Sequence, residues 1–311
     1  MKLDGLHHIT MITADAQANV DFYGELLGLR LVKQTVNFDA PDVYHLYFGD
    51  EHGSPGSILT WFEFTDAARG RAGAGMIHTI RLAVGSEAGL DFWEQRLRGA
   101  GVAVERTPSS LRFDDPDGLA LELVATPAGD PPLRAEHPEV PSEHAIAGVA
   151  GARAYAGGGL DTDADLLTET LGFTALAAGE YRLEGPTRSF DWGYDREEGL
   201  GRQGAGTVHH IAWHSTDAEH AAWQRRVHAA GMQVTPIIDR DYFKSIYFRE
   251  PQGILFEIAT TSPGFAVDEA PAHLGEALQL PPQHEHLREH LEHTLRPLVN
   301  PRVAHGKVVP W

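Results

Sequence analysis

Apolar residues in this chain recur first at every second position, then at spacings of three and four. They then return to every second position, and the change of period happens four times. The first round is LHHITMITADAQANVDFYGELLGLRLV, from Leu6 to Val32. The second is IHTIRLAVGSEAGLDFWEQRLRGAGVAV, from Ile77 to Val104. A weaker third round runs from Val149 to Leu176, and a fourth from Val208 to Val234. Alternation marks a half-buried strand, and spacing of three and four marks an amphipathic helix, as in Val20, Tyr23, Leu26 and Leu27. Gly28, Gly101, Gly172 and Gly231 follow the four helical stretches. A left-handed cap belongs there before the chain turns into a strand. Asp115-Pro116-Asp117-Gly118 and Glu250-Pro251-Gln252-Gly253 are turns that lead into LALELVA and ILFEIAT. Each unit therefore reads β-α-β-β-β, and the chain is α+β.

The first two modules occupy residues 1–130 and the last two 146–265. A Pro-rich, polar linker covers 131–145, and 266–311 holds a C-terminal helix and tail. With 311 residues, 42% of them hydrophobic and 22% charged, the chain has the balance of a soluble globular protein with ample core. A net charge of −19 argues against nucleic acid and anionic membrane surfaces as partners, because both reward basic patches. With no cysteine, disulfides and thiolate metal sites are excluded. Neither a signal peptide nor a membrane-length apolar run is visible, so a cytoplasmic protein is expected. The sequence admits a homo-oligomer.

Four phrases are more specific than the module pattern: LHHIT from Leu6, YHLYFGDEHGSPG from Tyr44, VHHIA from Val208 and DRDYFKSIYFREPQGILFE from Asp239. On these the chain resembles the vicinal oxygen chelate superfamily, which includes glyoxalases and extradiol dioxygenases. Within it, the closest likeness is to ring-cleaving dioxygenases that act on hydroquinones, chlorinated ones included. The resemblance spans about Leu6 to Phe265. It implies four βαβββ modules paired into two cup-shaped half-barrels that can hold a metal.

Successive strand residues point to opposite faces. In the fourth module His210 shares the face of Ala212 and His214, and in the first His8 shares that of Thr10. The face with small and polar residues should line the cup, which selects His8 and His210 as ligands; the resemblance selects the same two and adds Glu257. A lone strand histidine is usually a hydrogen-bonded core residue, but two imidazoles and a carboxylate at matching module positions form a ligand set. The triad draws on modules one and four, so these should pair around the metal, leaving two and three to pair with each other. In module two, His78 and Glu122 stand at the corresponding places, and module three offers no histidine near Gly151-Ala152-Arg153. The second cup is therefore expected to be empty. His286 and His290 also resemble a metal pair on one helix face, but dense surrounding charge suits a solvated surface helix better.

Two histidines and one carboxylate leave three positions open on an octahedral ion, an arrangement suited to Fe(II) and O2 chemistry, with Mn(II) as the alternative. Thr60 or Trp61 falls near the position opposite Glu257, where glyoxalase-type members place a fourth ligand, and Glu63 is a poor fit there. By resemblance, Tyr247 and Arg240 lie on the substrate side, Tyr247 to orient a bound oxygen and Arg240 as a fixed cation. Thr10 lies on the face of His8. His7 and His209 are also family positions near the site, although alternation points them away. Tyr242, Phe243 and Phe248 are candidates for the pocket wall. The implied partners are a small aromatic substrate and O2. The competing readings are a glyoxalase-like metal-dependent lyase or isomerase and an aromatic-ligand binding protein.

Overall fold

In the computed structural model, residues 1–126 and 130–304 are described, and the four modules form two eight-stranded sheets. Module one supplies β1 (Leu6–Thr13), β2 (Arg30–Asn37), β3 (Ala40–Gly49) and β4 (Ile58–Glu63). Module two supplies β5 (Met76–Val84), β6 (Glu105–Arg106), β7 (Ser110–Asp114) and β8 (Ala120–Ala125). Module three supplies β9 (Val149–Ala156), β10 (Thr174–Ala177), β11 (Glu180–Glu184) and β12 (Ser189–Arg196). Module four supplies β13 (Thr207–His214), β14 (Ile238–Asp239), β15 (Lys244–Arg249) and β16 (Leu255–Ala259).

The strand orders are β14-β15-β16-β13-β1-β4-β3-β2 and β10-β11-β12-β9-β5-β8-β7-β6. Modules one and four thus share one sheet, and modules two and three the other, as the triad required. At the centre of each sheet the two opening strands run antiparallel, β1 with β13 and β5 with β9. Each opening strand pairs in parallel with the closing strand of its own module. A sheet assembled from two such halves, twisted as all sheets are, curls into a cup.

Helices cover the outer faces. Modules two and four have regular helices, α2 (Glu87–Gly99) and α3 (Asp217–Ala229), which bury Trp93 and Trp223. In module one a short helix, α1 (Ala16–Asn19), runs into a π-helical segment, Val20–Leu26, and module three has a π-helical segment at Leu166–Leu171. The four closing glycines have φ of 68°, 79°, 83° and 88°, the left-handed conformation that only glycine adopts without steric cost. Behind the first cup, the outward residues Ile9, Ile211, Trp213 and Phe256 are fully buried. Truncating one of these large aromatics would cost about 3–5 kcal/mol.

Consecutive modules also meet behind the sheets. The Tyr23 hydroxyl of module one donates to Asp115 of module two at 3.0 Å. Glu250 of module four lies beside Asp163 of module three. After β16 the chain turns back across module one. Phe265 packs on Tyr47 and Tyr242, and the fully buried Lys33 pairs with Asp268 and Glu269. A short helix, α4 (Arg288–Thr294), follows. The far end of the tail, past Ala304, and Pro127–Gly129 lie outside the described residues. Among those described, no helix is long and apolar enough to cross a membrane.

Candidate metal centre

Three central strands bring the sequence-predicted triad together. The registers set His8 opposite Ala212, His210 opposite Thr10, and Ala212 beside Glu257. One ligand atom from each of His8, His210 and Glu257 lies within 4.8 Å of the others, and all three residues are buried. The two Nε2 atoms are 3.2 Å apart, and Glu257 Oε2 is 2.9 Å from His210 Nε2 and 3.3 Å from His8 Nε2. Glu257 Oε1 accepts a hydrogen bond from Ser245, while no donor is aligned on Oε2. Burial disfavours the charged form of Glu257, yet the imidazoles of His8 and His210 hold its carboxyl well below the usual range. Burial lowers His210, with Glu257 opposing. A dry carboxylate with an undonated oxygen, aimed at two imidazole nitrogens, suits a divalent cation. Metal ligands must be deprotonated, and an unpaired buried charge is otherwise costly.

His7 and His209 do not point away from the cup. The β1–β13 register slips between Leu6 and His8 and again between Thr10 and Met11, so His7 and His209 each occupy a bulge. A bulge inserts one residue and breaks the alternation that would have turned these rings outward. His7 Nδ1 comes within 2.9 Å of His8 Nδ1, and His209 Nδ1 within 2.7 Å of His210 Nδ1. Each candidate ligand is thus oriented by the histidine before it, through the nitrogen that faces away from the triad. Such partners fix the tautomer and ring angle of metal-bound histidines. Burial and the adjacent His8 lower His7 well below its usual value, and burial and His210 bring His209 down to about 4. Both are therefore neutral acceptors near pH 7.

The cup opens into a cavity of about 280 Å³ lined by His8, His45, His209, His210, Arg240 and Tyr247, with aromatic walls that include Tyr242 and Phe243. Phe248 is a correction: it lies on the opposite face of β15 from Tyr247 and packs against Phe256 in the core. Tyr247 pairs with Glu257 across β15–β16 and meets His210 edge-on. Arg240 Nε donates to the Tyr247 hydroxyl at 3.1 Å, and its guanidinium lies over the Tyr247 and Phe38 rings. Its ion pair is with Asp39, on the β2–β3 turn, rather than with a neighbour in sequence. Thr10 Oγ1 lies 2.9 Å from His210 Nε2.

Sequence reasoning missed two contributors. Ser245, fully buried, donates to Glu257. His45 lines the cavity and bonds Thr60 at 2.6 Å and the Tyr47 hydroxyl at 3.0 Å. The available signal was alternation: Ser245 is two residues before Tyr247, and His45 and Tyr47 share a strand face. Glu63 is elsewhere, accepting the Ala16 N–H at 2.9 Å. His286 and His290 fall in different elements, a 3-10 segment (Pro282–Leu287) and α4. Among the described residues, the only ligand-type group that converges is the triad.

The second cup repeats the frame with other side chains. Its β5–β9 register slips at His78 and at Ala150. His78 therefore matches the bulge histidines His7 and His209 rather than a candidate ligand, and Thr79 stands in the place of His210, beside the closing strand that carries the glutamate; this corrects the assignment from the sequence. Gly151 occupies the other ligand position, and Glu122, paired with Arg81, occupies that of Glu257. Glu122 is bonded by Arg81 and Arg112, both at 3.1 Å, and Arg153 is bonded by Asp195 and Glu180.

The model of the Glyoxalase/Bleomycin resistance protein/Dioxygenase superfamily matches residues 5–123 and 156–258. The chain is 44% identical to "Putative ring-cleaving dioxygenase MhqO" of Bacillus subtilis, over 95% of this chain and 97% of that one. It is 33% identical to the chlorohydroquinone/hydroquinone 1,2-dioxygenase of Sphingobium indicum, over 94% and 96%. A crystal structure titled as a putative dioxygenase from Bacillus subtilis superposes with a TM-score of 0.88 at 42% identity, covering 96% and 98% of the two chains. Glyoxalase I from Zea mays, at 15% identity and a TM-score of 0.59 over 82% and 92%, shares the fold.

Proposed function

The chain belongs to the Glyoxalase/Bleomycin resistance protein/Dioxygenase superfamily, and from that premise we propose that it is an Fe(II)-dependent ring-cleaving dioxygenase of the extradiol type. Mn(II) fits the same ligand set. Its substrates are hydroquinone-like dihydroxybenzenes, chlorinated ones included, and both atoms of O2 enter the product. The names of its relatives support the reaction class. The observation that carries the reading is the triad itself, two imidazoles and one carboxylate in a dry cup open to a single-ring cavity. An apolar cavity of about 150 Å³ already admits benzene, so about 280 Å³ accommodates one substituted ring.

The ligand count supports oxygen chemistry over the lyase reading. Thr60, beside Thr10 in the β1–β4 register, offers a hydroxyl where a fourth carboxylate would be needed, and Glu63 serves the start of α1. When bound, the ion would supply Lewis acidity and a route for electron density between an aromatic substrate and O2. The chain's own residues prepare that encounter. His8, His210 and Glu257 hold the ion, with His7, His209 and Ser245 fixing their angles. Tyr247 presents its hydroxyl toward the substrate oxygen, and Arg240 holds that hydroxyl and supplies positive charge at the rim. His209, neutral and with its Nδ1 taken by His210, turns its remaining N–H toward the cavity as a donor. Tyr242 and Phe243 close the walls and exclude water.

The test is anaerobic reconstitution with Fe(II), followed by oxygen-electrode traces with hydroquinone, chlorohydroquinone and catechol. Stoichiometric O2 uptake with a ring-opened, near-ultraviolet-absorbing product is expected, fastest with a hydroquinone. No uptake with any of them, despite bound iron, would shift the reading to a metal-dependent lyase.

A further inference from the structure

A chain of hydrogen bonds crosses three strands and ends at the triad. The Tyr47 hydroxyl lies 3.0 Å from His45 Nδ1, and His45 Nε2 lies 2.6 Å from Thr60 Oγ1. Thr60 donates to Thr10 Oγ1 at 3.3 Å, and Thr10 Oγ1 lies 2.9 Å from His210 Nε2. Tyr47, Thr60 and Thr10 are buried, and His45 faces the cavity. His45 packs between the Tyr47 and Phe62 rings, a position that an apolar ring could fill equally well.

The direction of the chain follows from its ends. Burial raises the Tyr47 phenol well above its usual value, so it keeps its proton and can donate. Burial, with His8 and His210 nearby, lowers His45 well below its usual value, so the ring is neutral and carries one proton. If Nδ1 accepts from Tyr47, that proton is on Nε2 and is donated to Thr60. Thr60 in turn donates to Thr10, which leaves the Thr10 hydrogen to be given away. With His210 Nε2 committed to a metal, the ring no longer accepts it.

We propose that Tyr47 and His45 are positioning residues which, through Thr60, fix the Thr10 hydroxyl as a hydrogen-bond donor to the reacting oxygen beside the triad. The inference rests on the dioxygenase reading for its reactant and on the hydrogen-bond chain for its direction. The residues act in relay, so none but Thr10 touches a reactant. An oriented donor that costs no reorganisation stabilises developing negative charge on oxygen.

Two measurements test it in the full-length protein. The first is nitrogen-15 NMR of the His45 ring in the metal-free protein, which reads the tautomer. A neutral ring protonated on Nε2 is expected, and Tyr47→Phe should turn it into a tautomer mixture. A ring protonated on Nδ1 would reverse the chain and overturn the proposal. The second is steady-state O2 uptake by Fe(II)-loaded His45→Phe, Thr60→Val and His45→Gln. His45→Phe and Thr60→Val should lose about tenfold in kcat, the worth of one oriented hydrogen bond, with KM and iron content within about twofold of wild type. His45→Gln, whose amide can accept from Tyr47 and donate to Thr60, should recover most of the loss. If His45→Phe folds, binds iron and keeps wild-type kcat, the relay is not used. If wild type takes up no O2 with any dihydroxybenzene, the dioxygenase reading fails, and the tautomer still decides the direction of the chain.

Discussion

The two cups are built on one frame and filled differently. Each has two opening strands paired antiparallel, two bulges and a parallel closing strand on either side. In the first cup the bulges carry His7 and His209 and the next residues are His8 and His210; in the second the bulges carry His78 and Ala150, followed by Thr79 and Gly151. Both keep a glutamate on one closing strand. Glu122 has its charge answered by Arg81 and Arg112, whereas Glu257 has only imidazoles and a serine. The module thus places a carboxylate in each cup, and the surrounding side chains decide whether guanidinium groups or only imidazoles face it. Arginine completes the second cup internally; the first is one positive charge short.

The strongest break of this contrast is the same substitution in both cups. Glu257→Gln keeps the shape but removes the charge. It should lower iron retention by more than the roughly 10–100-fold that outer partners cost, and it should abolish O2 uptake. Glu122→Gln should leave uptake within about twofold, with a stability cost of about 1 kcal/mol because Arg81 and Arg112 are partly exposed. Iron content and oxygen-electrode rates of the two purified variants decide it, and a metal loss shared by both would end the distinction.

Next in size is the loss of an orienting histidine. His7→Phe or His209→Phe leaves the ligand in place but takes away the acceptor on its Nδ1. Each should weaken metal affinity roughly 10–100-fold. Competition with a chelator measures this directly, and affinity unchanged in both variants would mean that the bulges serve only the backbone.

These residues also show how far the sequence could be read. The change of period and the closing glycines gave the modules, and the recurrence of His-His with a lone late glutamate gave His8, His210 and Glu257. The bulges were not legible, because alternation is a rule for regular strands and nothing local in LHHIT or VHHIA marks the inserted residue. That one omission misdirected His7 and His209 and put His78 in register with a candidate ligand. Ser245 and His45 were passed over because a polar residue on a strand face is ordinary until its partner on another strand is known. Phe248 was drawn to the wall by its neighbours in sequence, against its own alternation with Tyr247.

Grafting the missing imidazoles sharpens the comparison further. Thr79→His with Gly151→His would restore the triad in sequence, with Glu122 already present. Yet a Cβ on Gly151 would come within 2.5 Å of the Asp191 backbone oxygen, on the adjacent strand β12. A backbone neighbour cannot swing aside, so the strands must shift. Gly151→Ala alone should cost about 1–3 kcal/mol, and the double variant should bind no second metal. Denaturant titration and metal stoichiometry read both effects; a second tightly bound ion would show that the frame adapts more freely than this contact allows.

The smallest effect compares the matched turns behind the sheets. Burial, opposed by the Leu119 N–H and Tyr23, brings Asp115 up to about 6. Burial and the adjacent Asp163 push Glu250 up to about 9, while it accepts the N–H groups of Gln252 and Ile254. Both shifts are upward from the unfolded values, so the native state binds the extra proton and stability falls as pH rises through each folded value. For Asp115 that loss is complete near pH 6, whereas for Glu250 it continues to about 9. The melting temperature should therefore decline between pH 7 and 9. Both Asp163 oxygens are buried without an aligned donor. Asp163→Asn removes the neighbouring charge, lets Glu250 ionise nearer its ordinary range, and should flatten the decline. Asp115→Asn, whose window lies lower, should leave it intact. A wild-type melting temperature that is level or rising from pH 7 to 9 would mean that Glu250 is already ionised there, with Asp163 compensated from elsewhere.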